Sequence, residues 1–369
     1  MKAHRPDRFF FILTFILALA GFIIFSSAAL GLLGRDGASF TVVAGKQLFI
    51  MLVGLSLFII ISGVPYERWY RLAPYLFIFA FILTALVFVP GLSLTSGGAR
   101  RWLLIPLGGA SFSFQPAEFL KLASVLAWAW WLAKYRNYIT TWRLGFIPLV
   151  ALLGVTGGIL LAQPNTSTFG IILVATSTMF LIAGGKWKHF LVLGLAGVLA
   201  LSLVVFTRPY VMARVTTYLH PENDRQGDSY QITQSLIAIG SGGVFGRGFG
   251  QSVQKFNYLP EPIGDSVFAV AAEEFGLVGT SAFLLILLVF SLWGLKIAMR
   301  VSEPFGRLAA LGIVILITVQ SLINIGAMIG LLPLTGVPLV FVSQGGSALL
   351  LALIEAGIVL NISRYKSAA

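Results

Sequence analysis

The chain has 369 residues, of which 58% are hydrophobic, 13% aromatic and only 10% charged, and its mean hydropathy is +0.94. Soluble domains carry about 25% charged residues, so this chain cannot coat itself with polar surface and its solvent must be lipid. The net charge of +12 fits loops beside anionic headgroups rather than nucleic acid, and zero Cys with three scattered His argues against disulfides, thiol catalysis and a histidine metal site.

Apolar runs fall at about 9–33, 47–63, 72–90, 119–133, 144–162, 168–184, 189–206, 270–295, 308–331 and 346–362. A crossing takes roughly 20 apolar residues. The pattern therefore predicts ten transmembrane helices, an all-α polytopic fold and one integral membrane domain over 1–369. The first run follows Lys2, His4 and Arg5 and exceeds the apolar part of a signal peptide, so it reads as an anchor. With the N-terminus inside, the cytoplasmic segments hold 15 of the 25 basic residues, among them Arg68, Arg71, Lys134, Arg136, Arg143, Lys186, Lys188 and Arg307. The positive-inside rule then places both termini in the cytoplasm.

Two long outer segments, about 91–118 and 207–266, hold the Gly- and Pro-rich stretches and the carboxylates Glu118, Glu222, Asp224, Asp228, Glu261 and Asp265. Loops of that length are usually functional or disordered. Within the second, Ser229 to Ile239 reads as a short helix along the membrane surface with Ser229 as its N-cap.

Gly98-Ala99-Arg100-Arg101-Trp102 sets two guanidiniums beside an interfacial Trp. They either snorkel to headgroups or form a fork for a lipid diphosphate. Gln115-Pro116-Ala117-Glu118-Phe119-Leu120-Lys121 opens a helix, and its Glu118 and Lys121, one turn apart, should pair and line a polar cavity. Gly246-Arg247-Gly248-Phe249-Gly250 follows no strand, so it reads as a flexible turn rather than a dinucleotide fingerprint.

Asp265 precedes an apolar helix containing Glu273 and Glu274. It is either an N-cap or a general base facing a substrate in the outer leaflet. Glu355, inside the last helix, should face the bundle in a structural role.

Together these motifs resemble the SEDS family of bacterial membrane proteins, the FtsW/RodA/SpoVE group. The densest match is the stretch from Asn324 through Leu332-Pro333-Leu334-Thr335-Gly336-Val337-Pro338 to Ser343-Gln344-Gly345-Gly346-Ser347. Asn361-Ile362-Ser363-Arg364, the GxRRW-like and QPxE-like elements, and the Gly-x-x-Tyr-Gln-x-x-Gln-Ser-Leu pattern from Gly227 carry it further. Leu259-Pro260-Glu261 followed by Asp265 is similar to the family stretch whose Asp is catalytic. Two departures stand out. Ile263-Gly264 and Ser266 replace the family's His-Thr and Phe around that Asp, and Asn165 replaces an outer carboxylate.

The resemblance implies a peptidoglycan glycosyltransferase that polymerises Lipid II into glycan strands at the outer face of the cytoplasmic membrane, with Asp265 catalytic. It implies a substrate face drawn from Arg100, Arg101, Glu118, Lys121, Gln234, Lys255, Glu261 and Ser343, of which Arg101, Lys121 and Lys255 would meet the diphosphate. A divalent cation could share that task. The implied partners are Lipid II, the growing strand, a class B penicillin-binding transpeptidase and divisome or elongasome membrane proteins. The loop favours a division role over elongation. A Lipid II flippase is the rival expectation. It would need broken helices and ionisable groups near the midplane, whereas the carboxylates here gather at the outer rim.

Overall fold

A computed structural model describes residues 4–34, 39–96, 99–107, 110–207, 209–220 and 228–365. Lys2, Gly98, Glu222, Asp224 and Gly227, named above, lie outside them. The helices are α1 (Arg8–Ala29), α2 (Phe40–Ser62), α3 (Tyr66–Ala85), α4 (Pro116–Lys134), α5 (Ile147–Ala162), α6 (Thr166–Ile182), α7 (Trp187–Thr207), α8 (Pro209–Leu219), α9 (Asp228–Ser241), α10 (Val267–Arg300), α11 (Pro304–Met328) and α12 (Gly346–Ile362). Six of the described helices are long and apolar enough to cross a membrane: Arg8–Leu33, Phe40–Ser62, Tyr66–Phe88, Trp142–Ala162, Val267–Arg300 and Pro304–Met328. Thr166–Ile182, Trp187–Leu199 and Gly346–Ile362 are shorter and also apolar. The protein is a polytopic helical membrane protein.

These helices are apolar all round, because one face meets lipid and the other meets protein. Phe49, Ile60, Tyr75, Leu195 and Leu285 are exposed on the outside. α11 occupies the centre, packed on α4, α6, α10 and α12. The first and last described residues lie at one end of the bundle, where His4 N–H donates to the Arg364 carbonyl at 2.8 Å. There the Asp7 N–H donates to Ser363 Oγ at 2.9 Å, Trp293 Nε1–H donates to Asp7 Oδ1 at 3.0 Å, and the Asn361 amide donates to the Ser62 carbonyl at 2.8 Å.

The opposite end carries the irregular chain, and it departs from the sequence expectation in three ways. Residues 93–114 form a three-stranded antiparallel sheet, β1 (Ser93–Ser96), β2 (Ala99–Leu107) and β3 (Ala110–Phe114). The Ser-Phe-Ser-Phe alternation at 111–114 is the period-two signal for it. In the second outer segment α8 joins the expected helix, and α9 starts at Asp228, which puts Ser229 inside the first turn and buries it. The 246–250 segment is not a loose turn, as α10 explains.

α10 breaks at Gly276, whose φ of +64° and ψ of −166° leave the helical region. A break strands backbone groups that lipid cannot satisfy. Here the glycine-rich loop supplies four partners: Arg247 and Gly248 N–H donate to the Glu273 and Glu274 carbonyls at 3.0 and 2.9 Å, and Leu277 and Val278 N–H donate to the Gly243 and Val244 carbonyls at 2.9 and 3.0 Å. The backbones approach so closely that a Cβ on Gly276 would lie 2.2 Å from Gly246 N. Glycine is required at this crossing because it has no Cβ and tolerates positive φ.

The stretch after α11 is re-entrant. Its Phe341 carbonyl passes Gly21 of α1, where a Cβ would lie 2.1 Å away. Gly21 is eight residues below the end of α1, or about 12 Å at 1.5 Å per residue. Irregular backbone at such depth must be buried in protein, and residues 339–343 are. Leu339 N–H donates to Ser343 Oγ at 2.8 Å, Ser343 N–H returns to the Leu339 carbonyl at 3.0 Å, and Gln344 N–H donates to the Ile263 carbonyl at 2.7 Å.

Candidate active site

Asp265 lies where three outer elements meet: the loop before α10, α9 and the re-entrant stretch. The N-cap of α10 is Ser266, not Asp265, so the capping reading of Asp265 fails by one residue. Gln231 of α9 donates from Nε2 to Asp265 Oδ1 at 3.2 Å and to Ser266 Oγ at 2.9 Å. The Ser266 hydroxyl, one of the departures noted above, is thereby used to orient the glutamine. Asn324 of α11 donates from Nδ2 to both the Asp265 and Val337 carbonyls at 2.8 Å, tying the loop to the re-entrant stretch.

The other carboxylate oxygen faces bare backbone. A Cβ on Gly336 would lie 3.8 Å from Asp265 Oδ2 and 3.9 Å from Arg214 Nη2, so Gly336 leaves a gap between an acid and a guanidinium. Burial pushes the Asp265 carboxyl up from 3.8 to about 6, and the neighbouring Glu261 charge adds to the rise. The bonds to its own backbone and from Gln231, and the Arg214 charge, pull down more weakly. A carboxylate poised near working pH suits proton transfer. Glu261 itself is exposed, and its backbone carbonyl accepts from Gly264 and Ser266 N–H at 3.0 and 3.3 Å to shape the turn.

The other expected residues divide. Gln234 is one turn beyond Gln231 on the same face of α9, half-buried, with Gln231 the one that reaches Asp265. Arg100 and Arg101 are consecutive on β2, where the pairing with β1 skips Arg101 in a β-bulge. Arg100 is exposed, while Arg101 donates from Nε to the Gln163 carbonyl at 3.3 Å and from Nη2 to the Pro164 carbonyl. They do not form one fork. Arg101 instead clamps the turn before α6, where Ser167 Oγ donates to the Thr335 carbonyl at 3.3 Å beside Gly336.

Glu118 and Lys121 do pair, at 2.9 Å, but both are buried rather than lining an open cavity. Lys121 Nζ also donates to Gln320 Oε1, whose amide donates to the Pro338 carbonyl at 3.2 Å. Glu355 of α12 faces this pair closely enough to feel both charges. The cluster holds the re-entrant stretch from below.

Lys255 and Ser343 are internal. Lys255 is fully buried, 2.6 Å from Glu274 Oε1 and 3.1 Å from the Ser27 carbonyl of α1. That pairing leaves its ammonium no face for a diphosphate. Ser343 is buried, its hydroxyl bonded within the re-entrant stretch. Arg214 and Gln320 were not singled out by sequence, and Gln231 and Asn324 stood only as positions within the motifs, with no role. Beyond the motifs, their signal was a polar side chain on an otherwise apolar or outer helix, which alone does not say where it points. Among the described residues no three His, Asp or Glu side chains converge on a point that could hold a metal ion.

Residues 7–368 match the family described as cell cycle protein, the FtsW/RodA/SpoVE family. The chain belongs to this family. It is 39% identical over 369 residues to the stage V sporulation protein E of Bacillus subtilis (strain 168), covering 99% of this chain and 98% of that one. It is 38% identical over 355 residues to a probable peptidoglycan glycosyltransferase FtsW of Synechocystis sp. (strain ATCC 27184 / PCC 6803 / Kazusa), covering 96% and 88%. Among solved structures, it resembles a chain described under "Structural coordination of polymerization and crosslinking by a peptidoglycan synthase complex", with a TM-score of 0.80, 27% identity and coverage of 97% and 98%. The rod shape determining protein RodA of Thermus thermophilus gives 0.70, 26%, and 98% of both chains. For a FtsW/RodA/SpoVE member the Asn324 to Ser347 motif acquires a physical meaning: it is the end of α11, the re-entrant stretch and the start of α12, which together floor the site.

Proposed function

We propose that this FtsW/RodA/SpoVE chain is a peptidoglycan glycosyltransferase that joins Lipid II units into glycan strands at the outer face of the bacterial cytoplasmic membrane. It crosses ten times, through α1 to α7 and α10 to α12, with both termini inside. The observation that carries the reading is Asp265 at the end opposite the termini, held up to about 6 and open on one oxygen. A sugar hydroxyl is a poor nucleophile. As its oxygen attacks the anomeric carbon of the lipid-linked sugar from the face opposite the diphosphate, its proton passes to Asp265 and the carbon–oxygen bond to the diphosphate breaks with inversion. Arg214, across Gly336, is placed to meet the negative charge that collects on the leaving group. Gln234 and Glu261 border the same mouth and would contact sugar hydroxyls.

The broken α10 invites the flippase alternative, but the break is at its outer end. Residues 277–300 still make 24 residues of helix, about 36 Å at 1.5 Å per residue, which is a whole crossing. That position supports polymerisation. FtsW naming among the relatives supports a division role, and the implied partner is a single-span class B penicillin-binding transpeptidase. The sporulation relative, matched over nearly the whole of both chains, favours a second reading, a sporulation-stage polymerase of the same chemistry. Purified protein in liposomes with labelled Lipid II separates the classes: polymer formation supports the proposal, and transbilayer movement of Lipid II without polymer overturns it.

A further inference from the structure

At the end of the bundle that carries both termini, far from Asp265, a cavity of about 180 Å³ opens between α4, α6 and α11. Its floor is apolar: Leu132, Ile139 and Leu308 are almost fully buried. Its rim carries Arg136, from the turn after α4, and Arg307, from the first turn of α11, both exposed. Among the described residues neither guanidinium has a carboxylate within ion-pair distance, and no acidic side chain lines the cavity. The nearby acid, Glu303, is occupied in capping α11, accepting from Phe305 and Gly306 N–H at 3.0 and 2.6 Å. Two like charges held at one opening call for an anion.

The frame around them is preformed. Trp131 Nε1–H donates to the Leu144 carbonyl at 2.9 Å, and the Ile139 carbonyl lies where a Cβ on Gly145 would be 1.8 Å from it, so the turn bearing Arg136 is folded tightly back. Arg307 Nη2 reaches the last turn of α6, 3.5 Å from the Ile182 carbonyl. The depth of the opening is marked by the exposed aromatics Tyr138, Trp142 and Trp187, residue types that gather at headgroup level. The cavity has room for a phosphodiester with part of its glycerol.

We infer that this cavity binds the phosphodiester headgroup of an anionic phospholipid, with Arg136 and Arg307 gripping the phosphate oxygens and Leu132, Ile139 and Leu308 meeting the glycerol end. Basic pockets between transmembrane helices on the cytoplasmic side are suited to such headgroups. Only the choice of leaflet rests on the orientation proposed above. Binding itself can be read in detergent without any activity assay, so a failure here is distinct from a failure of the polymerase reading.

The test uses the purified full chain in neutral detergent with phosphatidylglycerol as probe, read by native mass spectrometry and by the rise in Tm on titration. The double variant Arg136→Gln plus Arg307→Gln should lose a tightly retained phosphatidylglycerol and require at least about tenfold more lipid for the same Tm rise. The control Arg143→Gln plus Lys188→Gln removes the same charge from the same end and should keep both. Each single arginine variant should weaken retention by an intermediate amount, which keeps the proposal testable if the double variant is poorly folded. Retention unchanged in the single and double variants, or lost equally in the control, would overturn the inference. Equal protection by inorganic phosphate would also overturn it, assigning the cavity to a soluble anion.

Discussion

Two carboxylate sites lie close together in sequence and are built in opposite ways. Glu273 accepts from Val253 N–H, Gln254 N–H and the Ser252 hydroxyl at 3.0, 3.2 and 2.5 Å, with Arg247 at 3.5 Å. Glu274 is paired with Lys255 and accepts from the Ser27 hydroxyl and from Ser252 N–H. Their donors saturate the charge, fasten the loop before Asp265 to α1 and flank the break at Gly276. Asp265 is half-buried with one side-chain donor among the described residues, from Gln231, and its remaining oxygen turned toward the Gly336 gap. A saturated carboxylate is a fixed anion that holds structure, while an under-supplied one stays basic enough to take a proton.

The contrast predicts effects of opposite sign. Lys255→Met should be the most damaging change, since it leaves Glu274 buried without a countercharge. A loss of about 3–5 kcal/mol follows for a broken buried pair, seen as a lower Tm in detergent and partly reversed by adding Glu274→Gln. Unchanged stability would mean that the loop is held by something other than this network.

Asp265→Asn should instead stabilise. The folded pKa is raised from 3.8 to about 6, so the folded protein holds an extra proton between those values. The stabilisation from the neutral acid is complete below pH 3.8 and is lost as pH rises through about 6. At pH 7 the ionised group therefore costs up to about 3 kcal/mol, at 1.36 kcal/mol per pH unit, and the amide removes that cost. Activity should run the other way in the native protein, rising through about pH 6 as the base ionises. A Tm that fell in Asp265→Asn would break the comparison.

Asn324→Ala removes one amide that bridges two carbonyls. Each bond contributes about 0.5–1.5 kcal/mol net, and the loosened loop should lower kcat while leaving Lipid II binding near wild type. Equal losses in kcat and binding would recast Asn324 as a substrate contact. The smallest effect is expected for Glu355→Gln, where the amide keeps most of the bonding capacity and polymerisation should persist. Loss of activity in a well-folded Gln variant would place Glu355 in the mechanism.

The spanning helices were legible in sequence because hydropathy reports directly on burial in lipid. Asp265, Glu118 and Lys121 were legible because a charge beside or within an apolar run must have a reason. The irregular outer end was not. The sheet at 93–114 rests on short strands whose alternation is weak against the apolar background, and consecutive arginines look like a fork although Arg101 is spent on the Gln163 and Pro164 carbonyls. The roles of Lys255 and Arg214 depend on how the second outer segment folds back. Lys255 turns inward to Glu274 and Arg214 outward to the Gly336 gap, and no local pattern in the sequence distinguishes two isolated cations. At the Ile263-Gly264 departure spacing could not reveal that the Ile263 side chain is buried, while its backbone carbonyl receives Gln344 N–H whatever the side chain.

The central claim is that Asp265 takes the proton from the attacking sugar hydroxyl. The direct measurement is the initial rate of glycan polymerisation from Lipid II by purified Asp265→Asn beside the wild type, in protein shown by its Tm to be folded. The nearly isosteric amide keeps the hydrogen-bond geometry and cannot accept the proton. The rate should therefore fall by about 10²–10⁴, the usual contribution of general acid–base catalysis, with Lipid II still bound. A folded Asp265→Asn protein that polymerises at near the wild-type rate would contradict the account and leave the exposed Glu261, rather than the saturated Glu273 or Glu274, as the carboxylate to examine.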